Sequence, residues 1–123
     1  MTENLLKEIA KQLNYAKVVG VFCHVRPDGD ALGSGLALVT ALKNSGKAAY
    51  MMCEDAVPDR LKILPAMEDV LTSLPQGVSF DLLVSVDCAD LSRLGVFAAF
   101  YKKFKGNTVN IDHHISNDRY AKI

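Results

Sequence analysis

The stretch "KVVGVFCHVRPDGDALGSGLALVTALKNSG", residues 17–46, decides the fold. It begins with an apolar, β-rich run over residues 17–24, which predicts a buried strand. A polar turn follows, and residues 31–46 then carry the apolar spacing of a helix, with Gly46 as a typical glycine stop signal. A buried strand followed at once by a helix is the first half of a unit that connects two parallel strands.

The rest of the chain continues this alternation of helices and strands. The predicted ranges are helix 3–15, strand 47–54, short helices and turns over the proline-broken residues 57–75, strand 80–87, helix 91–106, strand 107–112 and loop 113–123. The strands are almost continuously apolar, which is typical of a parallel sheet covered on both faces. We therefore predict one α/β domain over residues 1–123, built as a three-layer, doubly wound, mainly parallel sheet.

Composition narrows the function classes. The 123 residues are 50% hydrophobic, and 14 basic residues balance 14 acidic ones, so no basic surplus indicates an extended nucleic-acid surface. The N-terminus is charged throughout, and no run approaches the roughly 20 apolar residues of a membrane span, so we expect no signal peptide and no membrane partner. Cys23, Cys53 and Cys88 lack a metal-binding spacing, and we expect buried free thiols in a reducing cytoplasm.

Carboxylates and imidazoles follow three of the predicted strands. They are His24, Asp28 and Asp30 after the first strand, Asp87 after the third, and Asp112, His113 and His114 after the fourth. Because the carboxyl ends of parallel strands meet at one edge of a sheet, these side chains are predicted to lie together. Each aspartate alone could equally be a helix cap or a turn former. As a group, however, the aspartates would repel one another strongly without a bound cation.

The residue types indicate the kind of metal and the kind of chemistry. Imidazole and carboxylate without thiolate suit Mn²⁺, Fe²⁺, Co²⁺ or Zn²⁺ better than Ca²⁺. The candidate ligands outnumber those that one tetrahedral ion needs, which favours two ions bridged by a carboxylate. Such pairs hydrolyse phosphate esters. The glycines of "GSG", residues 33–35, open the predicted helix either for close packing on the sheet or to present N–H groups to an anion.

Three motifs at these strand ends resemble one known family. "HVRPDGDALGS" is similar to motif I of the DHH phosphoesterases, H-x-x-x-D-x-D-x-x-G-S; "VSVDCAD" resembles motif II; and "NIDHHISN" resembles motif III, whose D-H-H names the family. Their order and separation also match. The sequence looks most like the nanoRNase/pAp-phosphatase group, which implies a Rossmann-like DHH domain that acts on short RNA oligonucleotides or nucleotides. Relatives that cleave cyclic dinucleotides or their linear products are an alternative.

The resemblance assigns roles to individual residues. It implies that His24, Asp28 and Asp87 hold one Mn²⁺, and that Asp30, Asp87 and His113 hold a second, with Asp87 bridging; Mg²⁺, Co²⁺ or Zn²⁺ could substitute. As catalytic groups, His114 would contact the scissile phosphate or protonate the leaving group, and Asp112 would orient motif III. Ser34 would help to position the phosphate.

One departure from the family pattern affects the expected activity. The chain has neither a fourth aspartate motif nor the C-terminal substrate-gripping (DHHA1-type) domain of the family. We therefore expect it to be the N-terminal part of a longer enzyme, weak or inactive alone, and the resemblance also allows a homodimer. The rival hypotheses are a metal- or nucleotide-binding module without turnover, and an ordinary α/β domain with incidental polar loops.

Overall fold

The chain folds as alternating helices and strands in the computed structural model, which describes residues 2–63, 66–114 and 116–123. The helices are α1 (Thr2–Tyr15), α2 (Gly29–Asn44) and α3 (Ala98–Lys103), with short 3₁₀ segments at Asp59–Leu61, Met67–Asp69 and Leu91–Phe97. The strands are β1 (Val18–Phe22), β2 (Ala48–Met52), β3 (Val70–Leu71), β4 (Leu82–Val86) and β5 (Asn107–Ile111). No helix of the described residues is both long and apolar enough to cross a bilayer.

The strands form one parallel sheet in the order β3-β2-β1-β4-β5. The register pairs Phe22 at the end of β1 with Met52 on one side and with Ser85 on the other. The chain runs outward from β1 through β2 to β3, and it returns to the other side of β1 for β4 and β5. Loops that leave the ends of β1 and β4 therefore diverge in opposite directions, which opens the crevice where parallel α/β sheets bind ligands.

Apolar side chains cover both faces of the sheet. On one face Val19 and Val21 of β1 pack with Leu32 and Leu36 of α2. On the opposite face Phe22 contacts the ring of Phe97, with ring centroids 5.3 Å apart. This arrangement confirms the predicted three-layer α/β fold with a parallel sheet. The three cysteines are free and buried, as expected.

The structure differs from the sequence predictions at several boundaries. The second helix begins at Gly29 rather than at residue 31, because the Asp28 side chain caps it. Two-residue β3 lies in the region predicted as short helices and turns, and it forms through pairing with β2 rather than through its own pattern. Pro65, one of the prolines of that region, lies outside the described residues. The predicted helix 91–106 is a 3₁₀ segment followed by α3, and the 3₁₀ segment is itself broken at Gly95, whose φ of 63° and ψ of −129° are not helical.

The segment after β5 returns to the edge of the sheet. Ile123 donates its N–H to the carbonyl of Thr108 at 3.1 Å, and Asn110 donates its N–H to the carbonyl of Ile123 at 2.9 Å. Tyr120 of the same segment donates its hydroxyl to the carbonyl of Cys88 at 2.8 Å. The described part of the predicted loop is thus tied to both β4 and β5, directly behind the polar strand ends.

Candidate metal and phosphate site

His24 follows β1 with one ring nitrogen fixed and the other directed at carboxylates. Its Nδ1 lies 2.6 Å from the carbonyl oxygen of Val25, which can only accept a hydrogen bond, so Nδ1 carries the proton. Its Nε2 lies 3.9 Å from Oδ1 of Asp28 and 3.8 Å from Oδ2 of Asp87. The imidazole side chain is only 11% exposed. A neutral imidazole with Nδ1–H bonded to a carbonyl is the form in which histidine usually binds a metal through Nε2.

Asp28 both caps helix α2 and belongs to the group of potential ligands around His24. Its Oδ1 accepts the N–H of Ala31 at 2.9 Å, which is a helix N-cap interaction. The same side chain approaches His24 and is 57% exposed. The oxygen that approaches His24 is the same Oδ1 that accepts the cap N–H. The cap and the ligand interpretations are nevertheless compatible, since a carboxylate oxygen has more than one lone pair and the second oxygen accepts no hydrogen bond from a described residue.

Asp87 lies at the centre of the polar strand ends. It follows β4 in the left-handed region, with φ at 52°, and its side chain is 11% exposed. Its Oδ1 lies 2.8 Å from Nε2 of His113, and its Oδ2 points to His24. The two oxygens of one carboxylate thus face residues from the ends of two other strands.

Asp112 and His114 form a coupled pair after β5. Nδ1 of His114 contacts Oδ1 of Asp112, whose side chain is 1% exposed, and Asn117 donates its side-chain N–H to Oδ2 of Asp112 at 2.7 Å. Burial acts to raise the pKa of Asp112, but the hydrogen bonds from Asn117 and His114 outweigh it and lower that pKa below its ordinary value. The hydrogen bond with Asp112 raises the pKa of His114, against a smaller opposing effect of desolvation.

Two groups of potential ligands share Asp87. In each group the residues offer one ligand atom each, and these atoms lie within 4.8 Å of one another. One group consists of His24, Asp28 and Asp87, and the other of Asp87, Asp112, His113 and His114. Both groups combine imidazole with carboxylate, a donor set that fits a divalent first-row transition metal.

Asp30 and Ser34 lie near the second group but outside both sets. They line a cavity of about 370 Å³ together with Asp87, Asp112 and His113. Asp30 is exposed in the first turn of α2. The structure places it on the lining of the cavity that also contains His113, rather than among the clustered ligand atoms.

The "GSG" segment does not open the helix, contrary to the sequence prediction. Because α2 begins at Gly29, residues 33–35 lie in its second turn, where their N–H groups bond within the helix. A Cβ placed on Gly35 would lie 2.3 Å from Cε of Met51, whereas one placed on Gly33 would meet nothing within 4 Å. Close packing therefore explains Gly35, and the anion-binding interpretation of these N–H groups is wrong.

The sequence interpretation assigned no role to the side chains behind motif III. Asn117 donates to Asp112 and also to Oδ1 of Asn110 at 2.6 Å, and Asn110 in turn donates to Oγ of Ser85 at 2.9 Å. Arg93 lines the cavity beside His24. The asparagines of "NIDHHISN" could have indicated these hydrogen bonds from the sequence. Asn117 lies three residues after His114, and loop asparagines commonly form side-chain hydrogen bonds.

Comparisons with known proteins identify the family of this chain. The family model described as "DHH family, N-terminal domain" matches residues 18–123. A bifunctional oligoribonuclease and PAP phosphatase NrnA from Thermus thermophilus is 41% identical over 104 residues, which are 81% of this chain and 29% of that protein. The crystal structure of an exopolyphosphatase-related protein from Bacteroides fragilis superposes with a TM-score of 0.90 at 26% identity, over 98% of this chain and 38% of that one.

The chain spans less than a third of the length of the curated relative that it matches. The match to the family model nevertheless covers the whole of β1 to β5, including the ends of β1, β4 and β5 that carry the clustered ligands. The chain therefore belongs to the DHH family.

Proposed function

We propose that this chain is the metal-binding part of a phosphoesterase that hydrolyses short RNA oligonucleotides or small phosphorylated nucleotides such as pAp. The observation that carries the proposal is the position of Asp87 in both groups of ligand atoms. A shared carboxylate between two such groups is the arrangement that two-metal phosphoesterases use. Membership of the DHH family and the oligoribonuclease and PAP phosphatase activities of the Thermus relative support the same chemistry.

The donor atoms suggest how two ions would be held. His24, Asp28 and Asp87 would hold the first, and Asp87 with His113 would hold the second, with Asp30 facing it across the cavity. Mn²⁺ suits mixed imidazole and carboxylate ligands, as do Co²⁺ and Zn²⁺. When bound, such ions lower the pKa of a coordinated water and neutralise phosphate oxygens.

The remaining polar side chains would act on the substrate. Asp112 engages Nδ1 of His114, which leaves Nε2 of this partly exposed ring to contact a phosphate oxygen or to protonate the leaving oxygen. Asp112 would keep that ring in place. Ser34, on the wall of the second cavity, would donate its hydroxyl to a phosphate.

Binding without turnover is the second candidate function. It is favoured by the length of the match, because the chain corresponds to 29% of its Thermus relative. The residues that close the site over a substrate would then come from outside this chain. Cyclic or linear dinucleotides are alternative substrates of the same site. A cytoplasmic location, a homodimer and the incompleteness of this chain as an enzyme stay predictions from the sequence.

Metal binding tests the proposal on the chain itself. Mn²⁺ is expected to raise the melting temperature of the wild type and to bind measurably in isothermal titration calorimetry. Asp87→Asn should abolish both effects, because it removes charge from both ligand groups. Asp59→Asn is the matched control, since the Asp59 side chain is 96% exposed and, among the described residues, pairs with the nearby Lys62. Equal Mn²⁺ affinity in the two variants would refute the assigned site.

Hydrolysis separates the two candidate functions. Dinucleotides, short oligoribonucleotides and pAp are supplied with Mn²⁺ to the longest natural form of the protein that carries this domain, and to the chain alone. Chelation of the metal and the Asp87→Asn substitution should each stop product formation. If the longer protein binds Mn²⁺ but releases no product from any of these substrates, the binding-module alternative replaces the phosphoesterase.

A further inference from the structure

A cavity of about 440 Å³ adjoins the first ligand group and contains a single arginine among several carboxylates. The carboxylates that line it are Asp28, Asp87, Asp90 and Asp118, and His24 and Arg93 also contribute to the lining. No carboxylate oxygen of the described residues lies within 4.0 Å of the Arg93 side-chain nitrogens. The Arg93 side chain is exposed, so its guanidinium lies in an acidic cavity with no described carboxylate at ion-pair distance.

The backbone holds Arg93 in a fixed place beside the site. Its N–H donates to the carbonyl of Asp90 at 3.0 Å, and its carbonyl accepts the N–H of Val25, the residue after His24, at 2.7 Å. Leu94, the next residue, is fully buried in the core. The exposed Arg93 side chain therefore starts from a rigid point that is tied directly to motif I.

Three of the four carboxylates that line this cavity, all except Asp118, have other partners. Asp90 accepts the N–H and the hydroxyl of Ser92, each at 2.9 Å, and Asp28 accepts the helix-capping N–H of Ala31. Asp87 lies against His113. The guanidinium of Arg93 is thus available for an anion that enters the cavity from solvent.

We propose that Arg93 binds a phosphate group of the substrate, next to the ions held by His24, Asp28 and Asp87. The planar guanidinium offers two parallel N–H donors that match the geometry of two phosphate oxygens. Bound divalent ions would offset the negative charge of the carboxylates and let the anion approach. The inference rests on the proposed function and adds a substrate-binding residue, because it assigns the contact with a phosphate oxygen of the nucleotide or oligonucleotide to this arginine. That phosphate is either the scissile one or a second phosphate on the same molecule.

The test compares two substrates in the longest natural form of the protein. One is an unphosphorylated dinucleotide, whose single phosphate is scissile, and the other is the same dinucleotide with a 5′-phosphate. Arg93→Gln removes the charge, Arg93→Lys keeps the charge but loses the paired donors, and Arg60→Gln is the control on an exposed arginine outside both cavities. Melting temperature and Mn²⁺ affinity are expected to be unchanged in all three.

Arg93→Gln is expected to lower kcat/KM about tenfold to a hundredfold, the range for loss of a charge-assisted hydrogen-bond pair, with a smaller loss in Arg93→Lys. A loss with both substrates would assign the scissile phosphate, and a loss with the 5′-phosphorylated substrate alone would assign the second phosphate. Values equal to those of Arg60→Gln with both substrates would overturn the proposal. If the wild type hydrolyses neither dinucleotide, the dissociation constant for pAp decides: an unchanged value in Arg93→Gln overturns the role of Arg93, and a raised one supports it. The proposed function itself fails only if pAp and the longer oligoribonucleotides are not hydrolysed either.

Discussion

Replacing Asn117 by alanine should destabilise the protein through the carboxylate behind the site. The side chain donates to Oδ2 of Asp112 at 2.7 Å and to Oδ1 of Asn110 at 2.6 Å. A partly buried hydrogen bond to a charged group contributes about 1.5–3 kcal/mol and one between neutral groups about 1 kcal/mol, so a loss of about 2.5–4 kcal/mol in the free energy of unfolding is expected. The lower end is favoured, because water can reach part of the site.

Urea denaturation of the metal-free chain measures this change. Asn107→Ala is the matched control, because Asn107 donates a single exposed hydrogen bond, 2.7 Å long, to Gln12 at the other end of β5. That variant should lose no more than about 0.5–1 kcal/mol. If the two variants unfold at the same urea concentration with the same slope, the reasoning about the Asp112 hydrogen bonds is refuted.

Two further measurements test the conformation and the electrostatics of the site. Gly95→Ala should lose at least about 2 kcal/mol of stability, because a φ of 63° strains an L-residue and the new Cβ would lie 2.6 Å from the carboxyl carbon of Glu54. Gly33→Ala is the control, since its Cβ would meet nothing within 4 Å, and it should be neutral or stabilising by up to about 1 kcal/mol. Similar melting temperatures for both variants would contradict this. In an NMR titration of the metal-free protein, the pKa of His114 should lie above 6.5, so the ring should stay protonated to higher pH than an ordinary histidine. Asp112→Asn should lower the pKa of His114, because it removes the charge that favours the protonated ring. An unchanged pKa in that variant would show that Asp112 is not the cause.

The sequence predicted the layers of the fold and the edge that carries the polar residues. It could do so because a parallel sheet brings the carboxyl ends of its strands together wherever the connecting helices lie. His24, Asp87 and His113 needed only the correct strand ends to be brought close to one another. The confirmed part of the prediction is thus the part that depends on chain order and apolar periodicity.

Other features depend on contacts that chain order does not contain. β3 has only two residues and exists through its pairing with β2. The break at Gly95 comes from a local backbone conformation rather than from a loss of apolar spacing. The hydrogen bonds of Asn117 join a loop to the end of a strand, and no periodicity reports such a contact. Asp28 differs from these cases, because the sequence did offer a helix cap as one of its roles. The cap and the ligand were treated as alternatives, whereas the structure allows both.

The left-handed backbone of Asp87 restricts which amino acids can occupy that position. Among residues other than glycine, aspartate and asparagine enter this region most readily, and longer side chains pay about 1 kcal/mol or more to do so. Glutamate would keep the charge but strain the chain, and asparagine would keep the conformation but lose the charge. A saturation library at this position, scored separately for folding and for metal uptake, should therefore recover asparagine in the first screen and aspartate alone in both. No single substitution at this position therefore keeps both the backbone conformation and the negative charge.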